Sequence, residues 1–248
     1  QLYINQGNLK FKDVTTKSGI LDDDNWSMGA TMIDVDGDGF KDIYVCRFLW
    51  DQPDRRKNLL YMNQGDLTFI ESAEKYGVAD LGYSIQSAFI DFDKDGDMDL
   101  YVVNQPPNKK AFKKELKGKM DYRFTDRFYR NDGDSFTDIT VKAGIKNYAY
   151  GLSATIGDLN KDGWLDIYVA CDYEEPDLLY MNNGDGTFTN KAHETLRHMS
   201  NFSMGADIAD INNDGWLDIY TADMVAEDNK RLKTNMSGMN PKKFWTLA

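Results

Sequence analysis

The sequence contains few of the residues that carry enzyme chemistry. Only two histidines occur in 248 residues, and His193 and His198 are spaced neither as a helical metal pair nor beside an obvious partner. The chain also has no nucleophile elbow and no phosphate-binding loop. We therefore predict a protein without catalytic residues, and a glycosidase-type pair of carboxylates is the alternative that stays open.

Long apolar segments are missing as well. The sequence has no apolar run of the length that spans a bilayer, so we predict no membrane span. Negative charge is in excess, because 41 Asp and Glu against 29 Lys and Arg give a net charge of −12. This balance argues against nucleic acid as a partner.

Four short acidic segments, called loops 1 to 4 below, share one pattern. Each has Asp or Asn at positions 1, 3 and 5, Gly at position 6 and Asp at position 9. Alternating oxygen side chains beside a sharp glycine turn can wrap one hard cation, and calcium accepts more protein oxygens than magnesium does. The segments are DVDGDGFKD (34–42), DFDKDGDMD (91–99), DLNKDGWLD (158–166) and DINNDGWLD (210–218).

An EF-hand and a metal-free hairpin turn are the two alternatives to a calcium loop between two strands. An EF-hand requires a bidentate Glu at position 12 and then a helix. The segments after position 9 are instead β-branched and aromatic, which is typical of strands. Four copies of one ligand pattern favour a metal site over a bare turn. The EF-hand is excluded because position 12 is not Glu in any copy; it is Val45, Val102, Val169 and Thr221.

We predict one Ca²⁺ in each loop, about four ions in all. The predicted ligands are the side chains at positions 1, 3, 5 and 9 and the backbone carbonyl at position 7. They are Asp34, Asp36, Asp38, Phe40 and Asp42; Asp91, Asp93, Asp95, Asp97 and Asp99; Asp158, Asn160, Asp162, Trp164 and Asp166; Asp210, Asn212, Asp214, Trp216 and Asp218.

A second signature shows that the repeating unit is longer than the loop. LYINQG (2–7), LLYMNQG (59–65), FYRNDG (128–133) and LLYMNNG (178–184) each indicate a strand that ends in a turn, and a short strand with a Phe follows. Each unit thus has about four short strands, which predicts the blades of an all-β propeller.

The loops and the strands after them resemble the FG-GAP/VCBS repeat, which builds the propeller of integrin α subunits and of many secreted bacterial proteins. The segment DMVAEDNKRLKTNMSGMNPKKFW (223–245) is similar to bacterial proteins of the cartilage-acidic-protein (ASPIC/UnbV-associated) type. The resemblance implies a ring of roughly seven blades.

The order of the signatures predicts a partial propeller. Residues 1–20 correspond to the second half of a blade, and residues 198–248 to the first half of another with a tail. Between them we predict three whole blades, at 21–78, 79–145 and 146–197. A four-bladed ring closed by the two halves is the alternative to a fragment of a larger ring.

Charge and cysteine content bear on the compartment. The loops hold 15 of the acidic residues, so bound calcium would neutralise much of the net charge. Such loops suit the weak affinities of extracellular calcium modules. We expect Cys46 and Cys171, both on second strands, as buried apolar side chains rather than a disulfide.

An aromatic residue precedes each loop by eight positions. These residues fall at the start of the first strand, so we expect them on the propeller face opposite calcium, either packed between blades or exposed as a stacking platform. The same face receives Trp50 and a lysine-rich insertion with Lys109, Lys110 and Lys113. The aromatic residues are Trp26, Tyr83, Tyr150 and Phe202.

Together these features predict a calcium-binding, non-catalytic module that binds a glycan or a protein on the face opposite calcium. We expect it at the cell surface or secreted, in line with the bacterial resemblance. Two alternatives stay open: a polysaccharide-processing enzyme built on a calcium propeller, and a structural subunit of a bacterial outer-membrane complex.

Overall fold

The computed structural model describes residues 1–20, 25–48, 52–106, 122–172, 176–200 and 202–224. Within them the chain forms three four-stranded and two two-stranded antiparallel sheets, as an all-β protein should. Each four-stranded sheet is a simple meander, in the strand orders β3-β4-β5-β6, β7-β8-β9-β10 and β11-β12-β13-β14. This is the architecture of propeller blades.

The sixteen strands in the described part of the chain follow the repeat. They are β1 (Tyr3–Asn5), β2 (Phe11–Asp13), β3 (Ser27–Ile33), β4 (Asp42–Arg47), β5 (Leu59–Asn63), β6 (Phe69–Glu71), β7 (Ser84–Ile90), β8 (Asp99–Asn104), β9 (Arg127–Asn131), β10 (Phe136–Asp138), β11 (Tyr150–Gly157), β12 (Asp166–Asp172), β13 (Leu178–Asn182), β14 (Phe188–Asn190), β15 (Ser203–Ala209) and β16 (Asp218–Asp223).

Short helical turns connect some of these strands. They are α1 (Thr15–Ser18), α2 (Ala73–Tyr76) and α3 (Ala192–Thr195), with 3₁₀ turns at Pro53–Arg56 and Tyr122–Phe124. Gly19 and Gly77 end α1 and α2 in the left-handed conformation that glycine adopts at low cost. No helix of the described residues is long and apolar enough to cross a membrane.

The sheets are arranged side by side through their first strands. Strand β3 contacts β7, β7 contacts β11, and β11 contacts β15, so the first strands form the inner edge of an arc. The core lies between neighbouring sheets, where the second-strand tyrosines Tyr44, Tyr101 and Tyr168 are almost fully buried. Cys46 and Cys171 are buried thiols rather than a disulfide, as expected for small apolar side chains.

Packing between sheets explains which aromatic residues are exposed. Tyr3 in β1 and Tyr220 in β16 are 50% and 62% exposed, although the tyrosines at equivalent positions of the four-stranded sheets are buried. The two-stranded sheets stand at the two ends of the arc, so one side of each has no neighbouring sheet among the described residues.

Candidate metal-binding loops

Each acidic loop lies between the first and second strand of its sheet. The residue before position 1 pairs with the position 9 Asp in all four copies, for example Ile33 with Asp42 and Ile90 with Asp99. Eight residues therefore turn the chain back on itself, which requires backbone conformations outside the strand region. Position 4 is left-handed in every loop, as Gly37, Lys94, Lys161 and Asn213, and so is the position 6 glycine.

Hydrogen bonds to carboxylates hold the loops in this shape. In loop 1 the two oxygens of Asp34 accept from the N–H groups of Gly37 and Gly39, each at 2.9 Å. The position 5 Asp accepts from the N–H of position 7, as Asp38 does from Phe40 at 2.8 Å. Asp162 and Asp214 repeat this contact. The acidic side chains thus order the turn before any cation is considered.

The position 9 Asp fastens the loop to the sheet. In loop 2 the Oδ2 atom of Asp99 accepts from the N–H of Phe92, and Oδ1 accepts from the N–H of Asn131 at the end of β9. Asp42 and Asp166 make the same two contacts with their own loops and third strands. Each carboxylate oxygen has a further lone pair, so these contacts leave room for a metal ligand bond.

Loops 1 and 2 bring carboxylates close enough to share one ion. Oxygens of Asp34, Asp36 and Asp42 lie within 4.8 Å of one another, and oxygens of the equivalent residues Asp91, Asp93 and Asp99 do so in loop 2. In loops 3 and 4 the position 3 amides donate instead to the position 5 Asp, from Asn160 to Asp162 at 2.8 Å and from Asn212 to Asp214 at 3.0 Å.

Among the described residues, loop 2 has too few cationic or hydrogen-bond-donor groups to pair all of its carboxylate oxygens. One oxygen each of Asp91, Asp93 and Asp97 is buried without a hydrogen-bond partner among the described residues. Burial raises the pKa of Asp99 to about 8 and that of Asp97 to about 6, and neighbouring carboxylates add to the shift. A hard divalent cation would satisfy these oxygens and remove the repulsion, so the donor set fits Ca²⁺. Coordination by the position 7 carbonyls stays a prediction.

The residues predicted on the opposite face have different environments. Trp26 is 65% exposed, whereas Tyr83 and Tyr150 are buried and Phe202 is partly buried. Tyr83 packs against Phe48 and Phe124, and the Arg56 guanidinium lies 4.2 Å from its ring centre. Burial between sheets therefore removes Tyr83 and Tyr150 from a stacking platform and leaves Trp26. Trp50, Lys109, Lys110 and Lys113 lie outside the described residues.

Two groups of residues at the loops are additional to those predicted from sequence. Asn131 and Asn182 donate to backbone carbonyls of two consecutive loops, and the Asn that recurs two residues after the Tyr of the LY or FY signature was the signal for them. Lys94 and Lys161, at position 4, place their ammonium groups 3.9 and 4.0 Å from the ring centres of Trp164 and Trp216 in the following loop. A lysine at position 4 of one loop and a tryptophan at position 7 of the next loop were the sequence signal for this contact.

These blades and loops define a repeat protein with acidic turns between inner strands. The model of the FG-GAP-like repeat matches residues 1–45, 121–169 and 158–221, together more than half of the chain. The chain belongs to the FG-GAP-like repeat family, as the resemblance implied.

Relatives of the cartilage-acidic-protein type also match, as expected. Human cartilage acidic protein 1 is 27% identical over 201 residues, which cover 78% of this chain and 30% of the human protein. The mouse protein is 26% identical over 230 residues, 90% of this chain and 34% of its own length. The chain thus spans about a third of the length of these relatives.

Among solved structures, one of an Agrocybe aegerita lectin, described as recognising non-reducing terminal N-acetylglucosamine, covers 88% of this chain and 53% of its own. Its TM-score is 0.45 at 16% identity.

Proposed function

We propose that this chain is a calcium-binding, non-catalytic module of a secreted or cell-surface protein, and that it presents a surface for a glycan or protein ligand. The observation that carries the calcium assignment is the orphaned oxygen set of loop 2. Three buried carboxylate oxygens without partners sit in a turn whose ligand pattern recurs in four repeats. Buried unpaired carboxylates are costly unless a cation compensates them.

The choice of calcium rests on the chemistry of the donors. All predicted ligands are oxygens, which excludes a preference for soft metals. Up to five protein oxygens per loop exceed what magnesium usually takes from a protein, since it dehydrates reluctantly and demands octahedral geometry. Loops of exposed, partly pre-formed carboxylates are also suited to millimolar extracellular calcium.

Secretion or cell-surface placement is supported by that affinity argument and by the relatives, whose name refers to cartilage. A role in a bacterial outer-membrane complex stays a prediction from the sequence resemblance. The ligand surface is proposed on the face opposite the loops, where Trp26 is exposed and where β8 ends before the lysine-rich insertion.

Isothermal titration of the chelator-treated protein tests the calcium proposal. We expect calcium to bind at about four sites, and magnesium to bind more weakly or with fewer sites. The double variant Asp91→Asn/Asp93→Asn should lose one site. Lys142→Met, an exposed substitution at the other end of the sheet, is the control and should lose none. Absence of calcium binding at millimolar concentrations would contradict the proposal.

A further inference from the structure

A chain of buried hydrogen bonds connects loop 3 to loop 2. The Oδ1 atom of Asp166 accepts from the N–H of Asn182 at 2.9 Å, and the Nδ2 atom of Asn182 donates to the carbonyl of Phe92 at 2.9 Å. Phe92 is position 2 of loop 2, and its N–H donates to Oδ2 of Asp99 at 3.1 Å. One asparagine therefore joins the closing carboxylates of two consecutive loops.

The same arrangement continues from loop 2 to loop 1. The Oδ1 atom of Asp99 accepts from the N–H of Asn131 at 2.9 Å, and Nδ2 of Asn131 donates to the carbonyl of Val35 at 3.1 Å. The N–H of Val35 then donates to Oδ2 of Asp42 at 2.9 Å. The hydrogen-bond chain thus runs without interruption through three loops in three neighbouring sheets.

Every member of this hydrogen-bond chain is buried. The seven residues, from Asp166 to Asp42, are at most 4% exposed. Each linking amide is also saturated, because the second N–H of Asn131 and Asn182 points to the position 8 carbonyl of its own loop and the Oδ1 atom accepts from a turn glycine. A buried bond of this kind is costly to leave unmade, so a shift of one loop must be followed by the next.

These links lie next to the predicted ligands. Phe92 separates the ligand positions Asp91 and Asp93, and its N–H is held by Asp99, the position 9 ligand that lies close to both. A cation that fixes these three side chains also fixes the Phe92 carbonyl, and with it the amide of Asn182. Asn182 in turn orders Asp166, a predicted ligand of loop 3.

We propose that Asn131 and Asn182 are positioning residues that couple calcium binding in consecutive loops, so that occupation of one loop raises the affinity of the next. This inference rests on the proposed calcium function. The physical cause is shared ordering: the first ion restricts backbone that the second ion would otherwise have to restrict.

Electrostatics predicts the opposite sign, which makes the inference testable. An ion in loop 2 neutralises negative charge that would attract an ion to loop 3, so charge alone gives weaker binding at the second loop. Salt screens that effect between exposed loops but does not remove buried hydrogen bonds. The sign of the coupling at high ionic strength therefore separates the two mechanisms.

The experiment is a double-variant cycle read at loop 3. A Lys94→Met/Trp216→Phe background removes the contact of loop 2 with the Trp164 ring and leaves Trp164 as the loop tryptophan, so its fluorescence reports calcium in loop 3. Loop 2 is disabled by Asp91→Asn/Asp93→Asn, with and without Asn182→Ser, in about 0.5 M KCl. We expect disabling loop 2 to weaken calcium binding at loop 3 by about five-fold or more with Asn182 present, and by less than about two-fold with Ser.

Asn63→Ser is the matched control. Asn63 occupies the same position of the first four-stranded sheet, but the hydrogen bonds of its side chain stay within that sheet, to Lys41 and Gly65. Coupling between loops 2 and 3 should survive this change. Asn182→Leu serves as a second variant if Ser impairs folding, because it keeps a similar size but has no group that can donate to the Phe92 carbonyl.

The possible results are distinct. If loop 3 binds calcium with the same affinity whether or not loop 2 is intact, the coupling is wrong and the calcium function stands. If coupling persists in both Asn182 variants, the asparagine is not the link and the inference is overturned. If no variant binds calcium at millimolar concentrations in calorimetry, the calcium function and the inference both fall.

Discussion

At the scale of single residues, the position before each third strand shows how a repeat tolerates different charges. Asn58, Asp126 and Asp177 occupy it, and each contacts the hydroxyl of the second-strand tyrosine of its own sheet. Each also accepts from a backbone N–H near the end of the second strand. The geometry is therefore the same for a neutral amide and for a carboxylate that must be buried.

Burial of Asp126 makes stability depend on pH. Removal from water raises its pKa to about 6, although Tyr101, Asn104 and Asn147 donate to it. Because the folded pKa lies above the unfolded value of about 3.9, the contribution of this group to stability is complete below pH 4 and is lost as the pH rises through 6.

We predict that Asp126→Asn removes this pH dependence. The amide reproduces the arrangement of Asn58, and it relieves up to ~3 kcal/mol at pH 7, from which ~1 kcal/mol is subtracted for the lost hydrogen bond from Asn147. Urea unfolding at pH 4 and pH 7 measures the effect, with the loops held in EDTA at both values. A variant clearly less stable than the parent at pH 7 would contradict the argument.

At the scale of elements, the contact between Lys94 and Trp164 joins two loops on the surface. The Trp164 ring also covers Gly184 in the turn between β13 and β14, where an added Cβ would approach its Nε1 atom to 2.8 Å. Phe40 packs in the same way against Gly65. Position 7 thus contributes an aromatic cover for the neighbouring turn in loops 1 and 3.

We predict that Lys94→Met lowers the free energy of unfolding by about 0.5–1 kcal/mol, since methionine keeps the packing but loses the cation–π contact. The loss should shrink in a Trp164→Leu background, which has no ring to contact. Lys142→Met is the control with no expected change. Equal losses in the parent and in the Trp164→Leu background would show that the effect is not the contact with the ring.

The side chain at position 3 should set the order of calcium release. Asp36 and Asp93 add a negative charge that Asn160 and Asn212 lack, and in the structure those amides already donate to the position 5 carboxylate. Ligand charge is one determinant of calcium affinity. We predict that loops 3 and 4 lose calcium before loops 1 and 2 in a chelator titration. The fluorescence of Trp164 and Trp216 measures this loss.

The acidic loops and the second strands could be predicted from the sequence. The Asp-Gly pattern identified the loops, and the β-branched residues after Asp42, Asp99 and Asp166 identified the second strands, because both signals are local. The environments of Tyr83 and Tyr150 could not be predicted from local patterns, since neighbouring sheets bury them. The links through Asn131 and Asn182 span 96 and 90 residues of sequence, beyond any local spacing rule.

At the scale of the whole molecule, the two ends of the sheets differ in the residues that they carry. The loop end carries the acidic turns, and the other end carries the exposed Trp26 and the connections to the third strands. We predict that Trp26→Ala and the substitution of Lys109, Lys110 and Lys113 by Ala weaken binding of a glycan or protein ligand, measured by surface plasmon resonance once a ligand is found. The Trp50→Ala change should act in the same direction.

The melting temperature of the Trp26→Ala variant should be almost unchanged, because Trp26 is 65% exposed and exposed substitutions usually alter stability by less than about 0.5 kcal/mol. Leu67→Ser, at an exposed turn of the loop end, is the matched control and should bind normally. Binding that is lost only on changing the loop end would place the ligand on the wrong face for our proposal.

Calcium should stabilise the whole arc, and its removal is the broadest test. Without metal, four loops hold 15 carboxylates close together, and the buried oxygens of Asp91, Asp93 and Asp97 stay uncompensated. A ligand at about 100 times its dissociation constant adds about 2.7 kcal/mol per site, and a chain of this length melts about 2–4 °C higher per kcal/mol. We therefore expect EDTA to lower the melting temperature by well over 10 °C, measured by circular dichroism against excess calcium.

Because first strands contact one another from β3 to β15, destabilised loops should unfold the sheets together rather than singly. Superimposable melting curves with EDTA and with millimolar calcium would show that the loops do not hold structural ions.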